Sequence, residues 1–353
     1  MRLNWLAVDG FRNLEPRRLA FVSPTTLLYG PNAQGKTNVL EAIYMLGTTR
    51  SFRDNRPAHL VREGCSEARL EAGVQRSGSE HSLALLFAKD GRQMKVDGRS
   101  AELPDYTSKL PVVALSAEDR GLVAGVPRFR RDFLDGTSVW LRPAYLETLL
   151  EFGRCRAQRH AILHAYSPGR AGELEAWTEV FLKLGSLIQD ERSSMTDRIN
   201  GALKALSGEL SLREHLSLAY EPSGGGELRS ASARCRADEL RRGMNLVGPH
   251  RDAVEIRLNG RPMAAYGSSG QTRTALWLLK LARVHLLGER EAEPPLFLLD
   301  DVEVELDRGR IEELMRLTHG RTQLILTATR PIQDAWGPMA RVRVEAGRLV
   351  EEN

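Results

Sequence analysis

Residues 30 to 37 read Gly30-Pro31-Asn32-Ala33-Gln34-Gly35-Lys36-Thr37, which fits the pattern G-x-x-x-x-G-K-[ST]. The apolar run Thr26 to Tyr29 precedes it, and apolar residues at helical spacing (Val39, Leu40, Ala42, Ile43, Leu46) follow. Strand, glycine loop and helix in that order are what a phosphate-binding loop requires. Gly30 and Gly35 admit backbone conformations that turn successive N–H groups toward an anion, and the helix start adds favourable partial charge. The stretch from Gly30 to Asn38 is therefore the expected cradle of ATP, with Lys36 bridging its β- and γ-phosphates and Thr37 on its Mg2+.

Working outward, a metal needs a second anchor. Leu296-Phe297-Leu298-Leu299-Asp300-Asp301 is an apolar strand ending in two carboxylates. Asp300 is the expected metal ligand, and Asp301 the group that orients or deprotonates the attacking water. An Asp reaches about one methylene less far than a Glu, so slow hydrolysis is expected. A third element, Ser268-Ser269-Gly270-Gln271, precedes a long amphipathic pattern (Ala275, Leu276, Leu278, Leu279, Ala282, Leu286) and offers a second anion site at a helix start. Ser-Ser-Gly is also a common helix cap. One chain does not easily bring two helix N-termini to one triphosphate, so the economical arrangement is a head-to-tail homodimer.

The rest of the chain bounds the setting. At 353 residues, 42% hydrophobic and 27% charged, it reads as a soluble protein of two lobes. It contains no run of about 20 uncharged residues and no secretory h-region, which points to the cytoplasm and away from the membrane. Cys65, Cys155 and Cys235 lack the spacing of a zinc site or a disulfide framework. The ends are strand-rich: Trp5 to Val8, His81 to Ala88 and Arg92 to Val96 around Asp90-Gly91, and Leu324 to Leu326, with a second hairpin signal at Asn259-Gly260. From Pro143 to Leu206 the period is helical, through Leu146, Leu149, Leu150, Ala157, Ala161, Ile162, Val180, Leu184, Leu187 and Ile188. The expected division is a head of residues 1–115 and 236–353 and an inserted helical lobe of 116–235.

The formal net charge is only +4, but between Arg120 and Arg170 nine arginines face four acids. Arg128, Arg130, Arg131, Arg154, Arg156 and Arg159 are candidate contacts to duplex phosphates, giving sequence-independent, salt-sensitive binding. A solvated helix face with internal ion pairs is the alternative. Aromatic residues are 6% of the chain, which disfavours stacking on single strands.

Together these segments resemble the RecF family of bacterial DNA replication and repair proteins, relatives of the SMC and double-strand-break-repair ABC-type ATPases. The resemblance is carried by Phe11-Arg12-Asn13-Leu14, Gly30 to Tyr44, Arg50-Ser51-Phe52-Arg53, Leu115 to Asp119, Arg130 to Asp135, Gly248-Pro249-His250-Arg251-Asp252, Leu298 to Val302 and Glu305-Leu306-Asp307. It implies an α/β fold, an ABC-type P-loop ATPase head with a mixed sheet and an inserted α-helical lobe. It also implies ATP-dependent dimerisation, binding of double-stranded or gapped DNA, and action with RecR to load the recombinase RecA. Residue by residue, Lys36 and Thr37 match the Walker A pair, Asp300 the metal carboxylate and Asp301 the catalytic carboxylate. Ser268 and Gly270 match the signature motif and Asp307 the D-loop, while Arg12 and Asn32 match positions near the phosphates. Three positions depart from related heads: Asp301 replaces a Glu, Thr327-Ala328-Thr329 stands where a switch His is usual, and Ser116-Ala117-Glu118-Asp119 has no Q-loop Gln. Two other readings share the phosphate elements, a transporter's nucleotide-binding subunit and a non-hydrolysing DNA clamp. The 264 positions between Lys36 and Asp300 fit the transporter poorly.

Overall fold

Four short apolar runs, too continuous for half-exposed strands, become the centre of a parallel sheet whose strands are buried on both faces. The computed structural model describes every residue except 55, 89–90, 211–214, 292, 306–307, 319–320, 332–337 and 353. The chain divides into two units, Met1–Arg120 with Arg273–Asn353, and Gly121–Thr272.

In the first unit, β1 (Arg2–Asp9), β2 (Arg17–Ala20), β4 (Glu67–Arg76), β5 (Ser79–Ala88), β6 (Gly91–Val96) and β7 (Arg99–Ser100) form one sheet in the order β2-β1-β4-β5-β6-β7. Asp90 lies outside the described residues, but the strands around it pair antiparallel with Ala88 opposite Gly91. The second sheet runs β15-β14-β3-β13-β12-β8, from β3 (Thr25–Tyr29), β8 (Val112–Leu115), β12 (Leu296–Leu299), β13 (Leu324–Ala328), β14 (Ala340–Glu345) and β15 (Arg348–Glu352). All neighbours in it are parallel except β14 and β15. The C-terminal ends of β3, β13, β12 and β8 therefore share one edge, where ligands of open α/β sheets bind.

Helix α1 (Lys36–Thr48) belongs to one core cluster with the inner faces of both sheets. That explains why it buries Glu41 and Gly47 besides its apolar residues: a Cβ on Gly47 would stand 2.4 Å from Val112 and 2.5 Å from the Leu110 carbonyl.

The second unit holds α2 (Pro127–Leu141), α3 (Tyr145–His164), α4 (Ala171–Glu209) and α5 (Leu228–Arg242), and a sheet β11-β10-β9 of β9 (Leu216–Glu221), β10 (Ala253–Leu258) and β11 (Arg261–Pro262). This corrects two expectations. The second crossing falls between Thr272 and Arg273, within α6 (Ser269–Glu291), and not near Cys235. The Asn259-Gly260 hairpin forms, but as part of this unit, because β10 pairs with β9 while Leu228, Ala231 and Val247 fill the core around Phe152 and Phe181. The buried face of α3 is also rotated from the expected one. It presents Tyr145, Phe152, Cys155, Arg159, Ile162 and Leu163 and leaves Leu150 exposed, and on α4 Val180 and Leu187 are exposed as well. A polar residue in the buried row, Arg159, broke the apolar period.

The Gly248–Asp252 segment acquires a structural role. Asp252 is fully buried and accepts from Gln189 Nε2 (2.9 Å), Arg192 Nη1 (2.9 Å), Tyr220 OH (2.6 Å) and Ser223 N–H (2.9 Å). Arg192 also forks onto Asp135 (2.8 and 2.7 Å), so α2, α4, β9 and this segment are joined at one satisfied polar node. His250 packs its ring against Phe152 and Phe181, and burial pushes its pKa down to about 4. No described helix is long and apolar enough to cross a membrane.

Candidate nucleotide site

The loop after β3 takes the backbone its glycines allow. Gly30 (φ 148°), Ala33 (φ 62°) and Gly35 (φ 111°) are all at positive φ, and a Cβ on Gly30 would stand 2.4 Å from the Val344 carbonyl. No side chain caps α1 and its first turn has no acidic residue, so its leading N–H groups face the loop as anion donors. Lys36 is 4% exposed and donates to the carbonyls of Gly30 (2.8 Å) and Pro31 (2.9 Å), which engages two of its three protons and holds the charge over the cradle.

The loop is also clamped from outside. Gln34 accepts the Ala346 N–H on its side chain (2.6 Å) and the Gly347 N–H on its carbonyl (2.9 Å). Gly347 sits so close that a Cβ would meet the Asn13 carbonyl at 2.0 Å. Asn38, beside the loop, donates to Asn13 (2.7 Å) and accepts from Arg53 (2.9 Å), and the Asn32 carbonyl accepts from Gln34 Nε2 (3.4 Å).

Thr37 and Asp300 come together: the Thr37 hydroxyl is 3.0 Å from both carboxylate oxygens. Thr327 completes the group, donating to Asp300 Oδ1 (2.8 Å) and accepting the Asp301 N–H (2.7 Å). Burial is the main cause of a raised Asp300 pKa. The Thr327 hydrogen bond opposes it, the Asp301 charge adds to it, and Thr37 and Lys36 oppose it. Asp301 itself is held in the left-handed region (φ 44°), strain of the kind that collects at functional sites. Hydroxyl and carboxylate oxygens form the hard donor set that suits Mg2+.

Other site residues fall differently. Arg12 is spent on the buried Glu41, which it grips at 3.0 and 2.6 Å, and on the His59 carbonyl. Ser268 and Gln271 form a reciprocal cap at the start of α6: Ser268 N–H donates to Gln271 Oε1 (3.0 Å) and Gln271 N–H to Ser268 Oγ (3.2 Å). Ser268 and Gly270 are exposed, on the second unit. Asp307 lies outside the described residues.

The arginines divide sharply. Arg159 is a correction: fully buried, it is ion-paired to Glu239 and donates to Thr178 (3.1 Å) and Asn245, so it cannot meet DNA. Arg130 and Arg131 are half-buried and tie down backbone, Arg130 to the Val254 (2.6 Å) and Gly125 (3.0 Å) carbonyls and Arg131 to that of Asp252 (2.8 Å). Arg154 and Arg156 are exposed, as is Arg128, which pairs with Asp132 one turn away at 3.4 Å.

The hydrogen bonds of Thr327 to Asp300 and Asp301 and the Ala346-Gly347 clamp were not anticipated. Ala346-Gly347 between alternating strands was a legible hairpin signal, but nothing in it pointed to Gln34. Against known proteins, a family model described as the RecF/RecN/SMC N terminal domain matches residues 2–336. The DNA replication and repair protein RecF of Synechococcus sp. (strain JA-3-3Ab) is 37% identical over 93% of this chain and 91% of that protein. That of Geotalea uraniireducens (strain Rf4) is 33% identical over 95% and 94%. A solved structure of the recombination mediator protein RecF-ATP in the RecFOR pathway superposes with TM-score 0.91 at 28% identity, covering 99% of this chain and 97% of that one. The Smc head of Pyrococcus furiosus bound to part of ScpA gives TM-score 0.57 at 15% identity over 99% and 96%, a likeness of fold alone.

Proposed function

The chain belongs to the RecF family of SMC-like ATPase heads, ATP-dependent proteins of DNA recombination and repair, and from that premise we propose that nucleotide binding closes two copies of it around double-stranded or gapped DNA. The observation that carries the reading is the Thr37 hydroxyl set on both oxygens of Asp300 beside an uncapped helix start. Gly30 to Asn38 hold the triphosphate, Lys36 neutralises its outer phosphates, and Thr37 with Asp300 hold Mg2+. The bound cation neutralises charge on the phosphate oxygens. Asp301 orients the attacking water. Its short reach, and a threonine where related heads have histidine, make hydrolysis slow, so nucleotide acts chiefly as a timed clasp.

Ser268, Gly270 and Gln271 lie on a different unit from the P-loop, which supports their closing on the partner copy's ATP in a head-to-tail pair. Arg128, Arg154 and Arg156 contact the duplex backbone without sequence preference. By family, the protein works in the cytoplasm with RecR to promote RecA loading. Light scattering with ATP and Mg2+, with and without a gapped duplex, tests the reading. A twofold rise in mass with nucleotide is expected, and a single copy at saturating nucleotide and high protein concentration would refute it.

A further inference from the structure

Beyond the Thr37–Asp300 pair, the edge of the parallel sheet carries a second polar rank. β12 and β13 pair with Leu299 opposite Leu326, so Asp300 comes opposite Thr327, whose hydroxyl bonds both the Asp300 carboxylate and the Asp301 N–H. Thr329 stands two residues past Thr327, the spacing that keeps side chains on one face of a strand. Glu303 stands two residues past Asp301, in the single turn of helix at Val302–Glu305. The two meet. Glu303 Oε2 accepts the Thr329 hydroxyl at 2.7 Å and the Thr329 N–H at 3.1 Å.

A threonine has two protons to donate, one on its hydroxyl and one on its backbone nitrogen. Both go to one oxygen of Glu303. An ionised carboxylate only accepts, so an approaching anion meets a negative charge and a hydroxyl whose proton is already engaged. That is the wrong face for a phosphate. Thr37 with Asp300 marks the metal and the Lys36 loop marks the phosphates, and the Glu303–Thr329 corner follows Asp301 and Thr327 along the same edge. In hydrolysis the water oxygen bonds to the γ-phosphorus, the bond from that phosphorus to the β,γ-bridging oxygen breaks with its electron pair leaving on ADP, and the water's proton passes by way of Asp301 to the released phosphate. Donors aimed at the phosphoryl oxygens speed such a step, and donors turned elsewhere do not.

We propose that Glu303 is a positioning residue that slows hydrolysis by holding both donors of Thr329 away from the terminal phosphate of bound ATP. The inference rests on the ATPase reading of the P-loop and Asp301. Glu303 is exposed and Thr329 half-buried, so water competes for the contact and the hold is light. Slow turnover then has a cause in this corner besides the short reach of Asp301, and one that a single substitution lifts.

The test follows one turnover of γ-labelled ATP with Mg2+ and the full chain in excess, with ATP affinity measured alongside. Glu303→Ala is expected to hydrolyse ATP about tenfold faster than wild type, with affinity within about twofold. Glu303→Gln, whose carbonyl oxygen still accepts from Thr329, should stay within about threefold of the wild-type rate. In a Thr329→Val background the gain from Glu303→Ala should shrink to about threefold or less, because only the N–H is left to release. A merely structural role for Glu303 would not depend on that hydroxyl. Urea unfolding confirms that each variant is folded. A folded Glu303→Ala no faster than wild type, a Glu303→Gln as fast as Glu303→Ala, or an undiminished gain without the hydroxyl would overturn the role of Glu303 and leave the ATP reading intact. A wild type that binds no ATP would overturn both.

Discussion

The Thr37 hydroxyl and the Asp300 carboxylate, 263 positions apart in the chain, stand 3.0 Å from each other at both carboxylate oxygens. The contact joins the first turn of α1 to the end of β12. Thr37→Ala is expected to weaken Mg2+-dependent ATP binding at least tenfold while leaving binding in EDTA within about threefold. Thr37→Ser, which keeps the oxygen, should behave as wild type. Calorimetric titration with and without Mg2+ measures both.

Pairing and nucleotide binding separate in two variants. Lys36→Met removes the ammonium that donates to the Gly30 and Pro31 carbonyls and is expected to abolish ATP-driven dimerisation through loss of ATP itself. Ser268→Arg alters an exposed residue of the other unit, so ATP affinity should stay within about twofold while dimers no longer form. Sedimentation of each with ATP and Mg2+ checks the difference; a Ser268→Arg protein that still pairs would exclude the composite site.

The buried and exposed arginines of α3 should respond oppositely. Arg159→Ala strands Glu239 in the core and is expected to cost about 3–5 kcal/mol in urea unfolding. Arg154→Glu with Arg156→Glu should leave stability within about 0.5 kcal/mol per site but weaken duplex binding and flatten its salt dependence. Filter binding over a salt series, alongside unfolding curves, distinguishes them.

His250 gives a pH signature. Its folded value of about 4 lies below the ordinary 6.5, because burial disfavours the imidazolium. Between those values the unfolded chain carries a proton that the folded one lacks. Its contribution is therefore complete above about pH 6.5 and falls away as pH drops toward 4, by about 3 kcal/mol in all. His250→Phe, seated among Phe152 and Phe181, should remove that slope. Chemical unfolding of both proteins at pH 7.5 and 4.5 tests it, and parallel curves would count against the buried neutral ring.

Much of the nucleotide site was legible because its parts are contiguous. Gly30 to Thr37 is a single loop whose backbone needs particular residues at fixed offsets, and Leu296 to Asp301 announces a buried strand with its carboxylates at the end. Residues whose role depends on register were not legible. Thr327 matters because it lies opposite Asp300 on a parallel neighbour, and parallel register leaves no local mark in sequence. The arginine cluster misled for a related reason: composition counts Arg159 and Arg154 alike, and only the helix face separates an ion-paired core residue from a solvated one. The boundary after Cys235 was missed because β10 reads as a strand of the head until its pairing with β9 is known.

The Ala346-Gly347 clamp has a consequence for biosynthesis. Gln34 receives its partner from a residue 312 positions later, and both strands beside β3, β13 and β14, also come from the far end of the chain. A ribosome-bound nascent chain that has already emitted the whole glycine loop still lacks the walls that shape it. Competence to load nucleotide thus waits until β13, β14 and the Ala346-Gly347 turn have been made, and a product stopped before them, however well its helical insert folds, should be inert toward ATP.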